Sequence, residues 1–96
     1  MTNILLLDGM LSGTGIRDRV AGGYVEPVDL GLSLPLVSAI SRWLSAYEDL
    51  HYKGFSDAGE IDRLDREGLE IAARLQLELP DRRIGYFSNA RMMMLS

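Results

Sequence analysis

The chain has 96 residues, a formal net charge of −4 at pH 7 and an apolar fraction of 47%. This length predicts one domain, residues 1–96, around a single hydrophobic core, and the apolar fraction argues against a disordered chain. The sequence contains no cysteine, which excludes disulfides, thiolate zinc sites and cysteine nucleophiles. An acidic protein repels phosphate backbones, so we expect no nucleic acid as a partner.

The N-terminal sequence argues against export. The apolar run at residues 4–7 has four members and no basic residue before it, whereas a secretory signal needs a charged segment followed by a longer apolar one. No stretch approaches the roughly 18 apolar residues of a membrane span. We therefore expect a soluble, cytoplasmic protein that has no membrane partner.

Residues 2–7 predict a first strand, because they form a short, mainly apolar run that Asp8 and Gly9 close. A strand that is apolar on both faces belongs in the centre of a sheet. The glycine-rich stretch that follows, residues 9–15, lacks the lysine of a P-loop and the third glycine of a dinucleotide-binding turn. It is interpreted as a glycine turn, and no cofactor is expected.

Two further stretches carry weaker strand signals. Residues 24–26 predict a short strand that Pro27 ends, and the two glycines before it favour a small hairpin. Residues 92–95 are interpreted either as a short final strand or as an apolar tail that fills part of the core.

Ser33 is predicted to cap a first helix that tolerates Pro35 in its first turn and ends near residue 51. Apolar side chains recur at helical spacing on one face of it, namely Leu36, Ile40, Trp43, Tyr47 and Leu50. His51, the single histidine, is interpreted as a helix C-terminal residue that the helix dipole favours. One histidine without cysteines offers no metal-ligand spacing, so no metal is expected.

Asp57 is predicted to cap a second helix, with Glu60 completing a capping box and Pro80 ending the helix after Leu79. One wide arc of this helix is apolar and consists of Ile61, Leu64, Gly68, Ile71, Ala72, Leu75 and Leu79. A second apolar stripe, which a neighbouring helix or a partner would cover, consists of Leu69, Ala73 and Leu77. Residues 83–88 then predict the second strong strand.

The order of these elements predicts an α+β fold. We expect a small mixed sheet of three or four strands packed against two helices, in the order strand, loop or hairpin, helix, helix, strand. If the two strong strands are neighbours, the helices between them form a parallel crossover.

Four stretches resemble small bacterial immunity proteins of contact-dependent growth inhibition and related polymorphic toxin systems. They are residues 40–49 (ISRWLSAYED), 51–55 (HYKGF), 64–76 (LDREGLEIAARLQ) and 84–88 (IGYFS). Such families have no catalytic motif to carry over, and their toxin-binding residues vary with the toxin. The resemblance implies a cytoplasmic protein that is not an enzyme, and that binds the C-terminal nuclease domain of a cognate toxin and covers its active site.

Acidic residues crowd around the connection between the two helices, where residues 42–62 contain five acids and two lysine or arginine residues. Nuclease toxins tend to be basic because they hold phosphate backbones, so an acidic inhibitor is steered towards them. The predicted toxin-binding residues are Glu48, Asp49, Tyr52, Asp57 and Glu60, with Tyr52 as an aromatic anchor. The competing interpretation is that these acids are helix caps and solvated loop charges.

Two other classes of function compete with an inhibitor. A small hydrolase would use Asp8, His51 or the acid pairs, but no spacing in the sequence brings such groups into one pocket. The alternative function is a homodimeric regulatory or structural module that associates through the second apolar stripe and the methionine-rich tail.

Overall fold

A computed structural model describes residues 4–96 and shows the predicted α+β fold. Its strands are β1 (Ile4–Asp8), β2 (Ile16–Asp18), β3 (Arg83–Ser88) and β4 (Met93–Met94), and its helices are α1 (Leu34–Tyr52) and α2 (Ala58–Glu78). The four strands form one mixed sheet in the order β2-β1-β3-β4. Residues 2–3 of the predicted first strand lie outside the described residues. Within residues 4–96, neither helix is both long and apolar enough to cross a membrane.

The two strong strands lie side by side in the centre of the sheet. β1 and β3 are parallel, with Leu5 opposite Ile84 and Leu7 opposite Tyr86, so the predicted crossover through both helices is confirmed. β2 and β4 pair antiparallel on the two outer sides. Leu5, Leu6 and Leu7 are each no more than 3% exposed, as a strand apolar on both faces requires.

The second strand lies elsewhere than the sequence predicts. Residues 24–26 do not form a strand, since Tyr24 contributes only an isolated bridge to Arg17, and the arm that joins β1 is Ile16–Asp18. The hairpin itself is present, because the Val25 N–H donates to the Ile16 carbonyl at 2.9 Å. Ile16 is fully buried. The arm that pairs with β1 is thus the one that buries an apolar side chain in the core, and the β propensity of Tyr24 and Val25 did not identify it.

Both helices begin where the sequence predicts. Ser33 precedes α1, but its N–H and hydroxyl donate to the carboxylate of Glu78 at 2.7 Å each, instead of capping its own helix. These bonds tie the start of α1 to the end of α2 and hold the pKa of Glu78 below its ordinary value. Asp57 caps α2 by accepting a hydrogen bond from the Glu60 N–H at 3.1 Å. α2 ends at Glu78, one residue earlier than predicted, because Leu79 before the proline leaves the helical conformation and forms the C-cap.

The core between the helices and the sheet is built around aromatic side chains. Trp43, Tyr47 and Tyr86 are fully buried, and the Trp43 ring centroid lies 5.3 Å from that of Tyr47 and 5.9 Å from that of Tyr86. The Trp43 indole N–H donates to the Leu64 carbonyl at 2.9 Å, which satisfies the buried donor and joins α1 to α2. All five residues of the predicted apolar face of α1 are buried.

Candidate functional site

The five predicted toxin-binding residues lie at one end of the two-helix unit. We call this end the hairpin tip, and its members are Glu48, Asp49, Tyr52, Asp57 and Glu60. The first three lie in the last two turns of α1, and the other two lie at the start of α2. Because residues 53–57 connect the two helices, the fold brings all five to the same end of the molecule.

Two members of the hairpin tip are engaged within their own helix. Asp57 accepts the capping hydrogen bond of α2. The Glu60 carboxylate pairs with Arg63, and within residues 4–96 it makes no bond to the Asp57 N–H, so the predicted capping box is only half formed. The competing interpretation, in which these acids serve the helix, therefore describes Asp57 and Glu60 well.

The other three members are available for contacts with a partner. Within residues 4–96, the Glu48 and Asp49 carboxylates take part in no hydrogen bond or ion pair. Tyr52 is 77% exposed and belongs to the same helical turn as Asp49. A tyrosine with an exposed ring and a polar hydroxyl is a side chain that interfaces favour. These three residues are the part of the hairpin tip most available to a partner.

A buried polar network that the sequence did not predict joins α2 to the end of β3. The carboxylate of Asp65, which is 3% exposed, accepts hydrogen bonds from the hydroxyls of Tyr47 at 3.0 Å and Tyr86 at 2.6 Å through one oxygen. Its other oxygen accepts from the Ser88 hydroxyl at 2.8 Å and from the Arg91 guanidinium. These donors saturate the carboxylate, so it is not free to accept a proton from a substrate.

The two tyrosines of this network are held in their neutral form. Burial, with a further contribution from the bond to Asp65, raises the pKa of Tyr86 far above the ordinary value of 10.0. Burial also raises the pKa of Tyr47. The Tyr47 hydroxyl in turn accepts a hydrogen bond from the Ala90 N–H at 3.1 Å, so the network holds the segment after β3 against α2.

One sequence signal points to Asp65. It lies four residues after Ile61 and three before Gly68, which places it on the apolar arc of α2. A carboxylate on an otherwise apolar arc indicates a buried charge, and a buried charge requires partners. Those partners, Tyr47 and Ser88 among them, come from distant parts of the chain, and no local pattern connects them to α2.

A second buried carboxylate, Asp8, lies at the C-terminal end of β1. One of its oxygens accepts hydrogen bonds from the Met10 N–H at 3.0 Å and the Asn89 side-chain amide at 3.3 Å. Within residues 4–96 its other oxygen accepts no hydrogen bond, although the Arg17 guanidinium lies 3.3 Å away. Burial raises the pKa of Asp8, and the charge of Arg17 offsets part of that rise.

His51 lies in the last turn of α1, as predicted, and also makes a tertiary contact. Its Nε2 is 2.8 Å from the carbonyl oxygen of Gly9, which makes Nε2 the protonated nitrogen, and its ring centroid is 4.7 Å from that of Phe55. No hydrogen bond joins His51 to Asp8, both of which the structure describes. Among residues 4–96, no three His, Cys, Asp or Glu side chains are grouped to hold a metal ion.

The fold and these clusters define an α+β protein with a parallel strand–helix–helix–strand crossover. Comparison with protein-family models, with curated proteins and with solved structures finds no significant match to this chain. The resemblance to immunity proteins therefore stays a prediction from the sequence.

Proposed function

We propose that this protein is a cytoplasmic immunity protein that binds the nuclease domain of a basic toxin and covers its active site. The observation that carries the proposal is the hairpin tip, where Tyr52 is 77% exposed near the carboxylates of Glu48 and Asp49, which form no ion pair within residues 4–96. The net charge of −4 adds a longer-range attraction to a basic partner.

The charged and aromatic members of the hairpin tip contribute to binding in different ways. Glu48 and Asp49 would occupy positions that nucleic-acid phosphates take on the toxin, and exposed charges of this kind act mainly on the association rate. Tyr52 would insert its ring into the partner, and buried aromatic anchors dominate dissociation and affinity. The two kinds of variant therefore differ kinetically: reversal of the carboxylates slows association, whereas Tyr52→Ala speeds dissociation.

Titration of this protein into the toxin domain encoded by the neighbouring gene tests the proposal. We expect sub-micromolar binding at moderate salt, and slower association with a flatter salt dependence for the double variant Glu48→Lys/Asp49→Lys. The double variant Glu70→Lys/Asp81→Lys makes the same change in net charge on exposed residues away from the hairpin tip, so it should retain most of the association rate. Absence of sub-micromolar binding rejects the proposal, and an association rate that the first double variant leaves unchanged places the interface elsewhere.

A second candidate function is the self-associating module, which specific exposed side chains favour. Leu77, on the second apolar stripe, is 82% exposed, and Met92 in the tail is 70% exposed. Large exposed apolar side chains mark interfaces when they form a patch. Sedimentation of the isolated protein separates a monomeric inhibitor from such a module, and weaker association of Leu77→Ser would identify the stripe as the interface.

A further inference from the structure

The face of the sheet that the helices leave uncovered carries a shallow concavity. Leu5 and Leu7 belong to the core beneath the helices, so Leu6 between them points to the opposite face. On that face Leu6 lies beside Phe87 and Met94, in a concavity of about 510 Å³. We call this surface the outer sheet face. It consists of Leu6, Arg17, Arg19, Arg83, Phe87 and Met94.

The outer sheet face is basic, although the chain as a whole is acidic. The Arg17 guanidinium already has partners within the chain, since it pairs with Asp8 and lies 5.5 Å from the ring centroid of Phe87. Arg19 and Arg83 are exposed, and no carboxylate of residues 4–96 forms an ion pair with either. The carboxylate of Asp18, which also borders the concavity, accepts two hydrogen bonds at 2.9 Å within its own turn through one oxygen. It is one negative charge beside the two positive charges of Arg19 and Arg83, and it forms an ion pair with neither. Two arginines are therefore left to pair with a partner.

We propose that the outer sheet face of one copy of this chain binds the hairpin tip of a second copy. The two surfaces are complementary in charge, because Glu48 and Asp49 lack partners just as Arg19 and Arg83 do, and carboxylate–guanidinium pairs are the strong charged hydrogen bonds of proteins. The exposed ring of Tyr52 matches the apolar floor of the concavity. A tyrosine ring there would contact the thioether of Met94 and the guanidinium of Arg17, both of which make favourable contacts with aromatic rings.

The contact joins two different surfaces, so it is heterologous. Each copy retains one free tip and one free sheet face, and association therefore continues into a ring or an open chain, depending on whether the rotation closes. The inference does not depend on toxin inhibition. It does imply that a partner seated on the hairpin tip competes with self-association, because Tyr52 cannot occupy both sites at once.

Sedimentation of the isolated, full chain tests the inference at about 0.01 M and about 1 M ionic strength, where charges are screened beyond about 30 Å and 3 Å respectively. We expect the mass to rise with concentration at low ionic strength and to return towards the monomer at high ionic strength. Reversal of the face (Arg19→Glu/Arg83→Glu) or of the tip (Glu48→Lys/Asp49→Lys) should each weaken association by about tenfold or more, because each places like charges together. All four residues lie on the surface or its margin, and circular dichroism verifies that each variant is folded.

A mixture of the two reversed variants provides the decisive test. The basic tip of the Glu48→Lys/Asp49→Lys variant fits the acidic face of the Arg19→Glu/Arg83→Glu variant. The wild-type tip of the second variant also fits the wild-type face of the first. The mixture should therefore associate, although neither variant does so alone. Glu70→Lys/Asp81→Lys is the control for net charge and should associate like the wild type. The proposal is wrong if the wild-type protein stays monomeric at low ionic strength, or if the mixture of the two variants stays monomeric. It is also wrong if association survives each reversal and is lost in Leu77→Ser. None of these results decides the toxin titration, so the two proposals fail separately.

Discussion

The Tyr86 hydroxyl on β3 donates a 2.6 Å hydrogen bond to the buried carboxylate of Asp65 on α2. A charge taken out of water costs several kcal/mol unless it is paired and hydrogen-bonded. Here Arg91 supplies the opposite charge, and the hydroxyls of Tyr47, Tyr86 and Ser88 supply the remaining donors. The helix and the end of the strand are thus held together by a satisfied polar network in addition to apolar packing.

Asp65→Asn should lower the free energy of unfolding by about 2–4 kcal/mol, because it removes the charge that pairs with Arg91 and turns an amide N–H₂ towards donors. Urea denaturation measures the change. Asp62→Asn is the matched control, since Asp62 is the more exposed carboxylate that Arg91 also binds, and its loss should cost less than about 1 kcal/mol. Equal costs for the two variants would contradict a structural role for the buried network.

The buried tyrosines predict a loss of stability at alkaline pH. Their pKa is raised by burial in the folded state, so their contribution is present below the ordinary phenol pKa of about 10 and is lost as the pH rises above it. The free energy of unfolding should fall above about pH 10 by up to about 1.4 kcal/mol per pH unit for each phenol. Tyr86→Phe should remove the contribution of one phenol from this slope. The exposed Tyr52 provides the control, and a Tyr52→Phe slope as shallow as that of Tyr86→Phe would refute the assignment.

Asp8 predicts a pH dependence in the acid range. Burial raises its pKa in the folded state, so the folded protein binds this proton more tightly than the unfolded chain. Its contribution to stability is then present at low pH and declines as the pH rises through the folded-state pKa. The stability of the wild type relative to Asp8→Asn should therefore be greater near pH 4 than near pH 7, the lower value being close to the ordinary aspartate pKa of about 3.9. Urea midpoints across this range give the difference, and a difference that grows with pH would show that Arg17 outweighs burial.

Substitution of Gly68 by alanine should overpack the core against Tyr86. A Cβ at this position would lie 2.3 Å from Cε1 of Tyr86 and 2.8 Å from its hydroxyl oxygen. Gly68→Ala should cost about 1–3 kcal/mol through overpacking, although alanine favours helices by about 1 kcal/mol. Gly59→Ala in the first turn of α2 is the control, because its nearest neighbour would be an Asp57 oxygen at 3.5 Å. Gly59→Ala should be neutral or stabilising in thermal unfolding, and a stable Gly68→Ala would show that Tyr86 can move aside.

The fold class and the position of the hairpin tip were predictable because they depend on residues close together in the chain. Apolar spacing at the helical period identified the buried face of α1 and most of that of α2. Asp57 and Pro80 marked the ends of α2 to within one residue, and one short apolar run and one run rich in β-forming residues marked the central strands. The acids and Tyr52 of the hairpin tip flank one short connection, so any arrangement of two successive helices brings them to the same end.

Tertiary structure alone decided which arm of the hairpin joins β1, which carboxylates are already engaged, and which surface is basic. Asp65 is paired because Tyr47, Ser88 and Arg91 reach it from distant segments. The outer sheet face is basic because β2 and the residue after it, on one side of β1, and β3, on the other side, place their arginines on the same face of the sheet. Sequence patterns report the period of one element, whereas hydrogen bonding, burial and charge neighbours depend on which elements meet in space. Local chemistry therefore determined the helices and strands of this protein, and only their packing determined its polar network and its two surfaces of opposite charge.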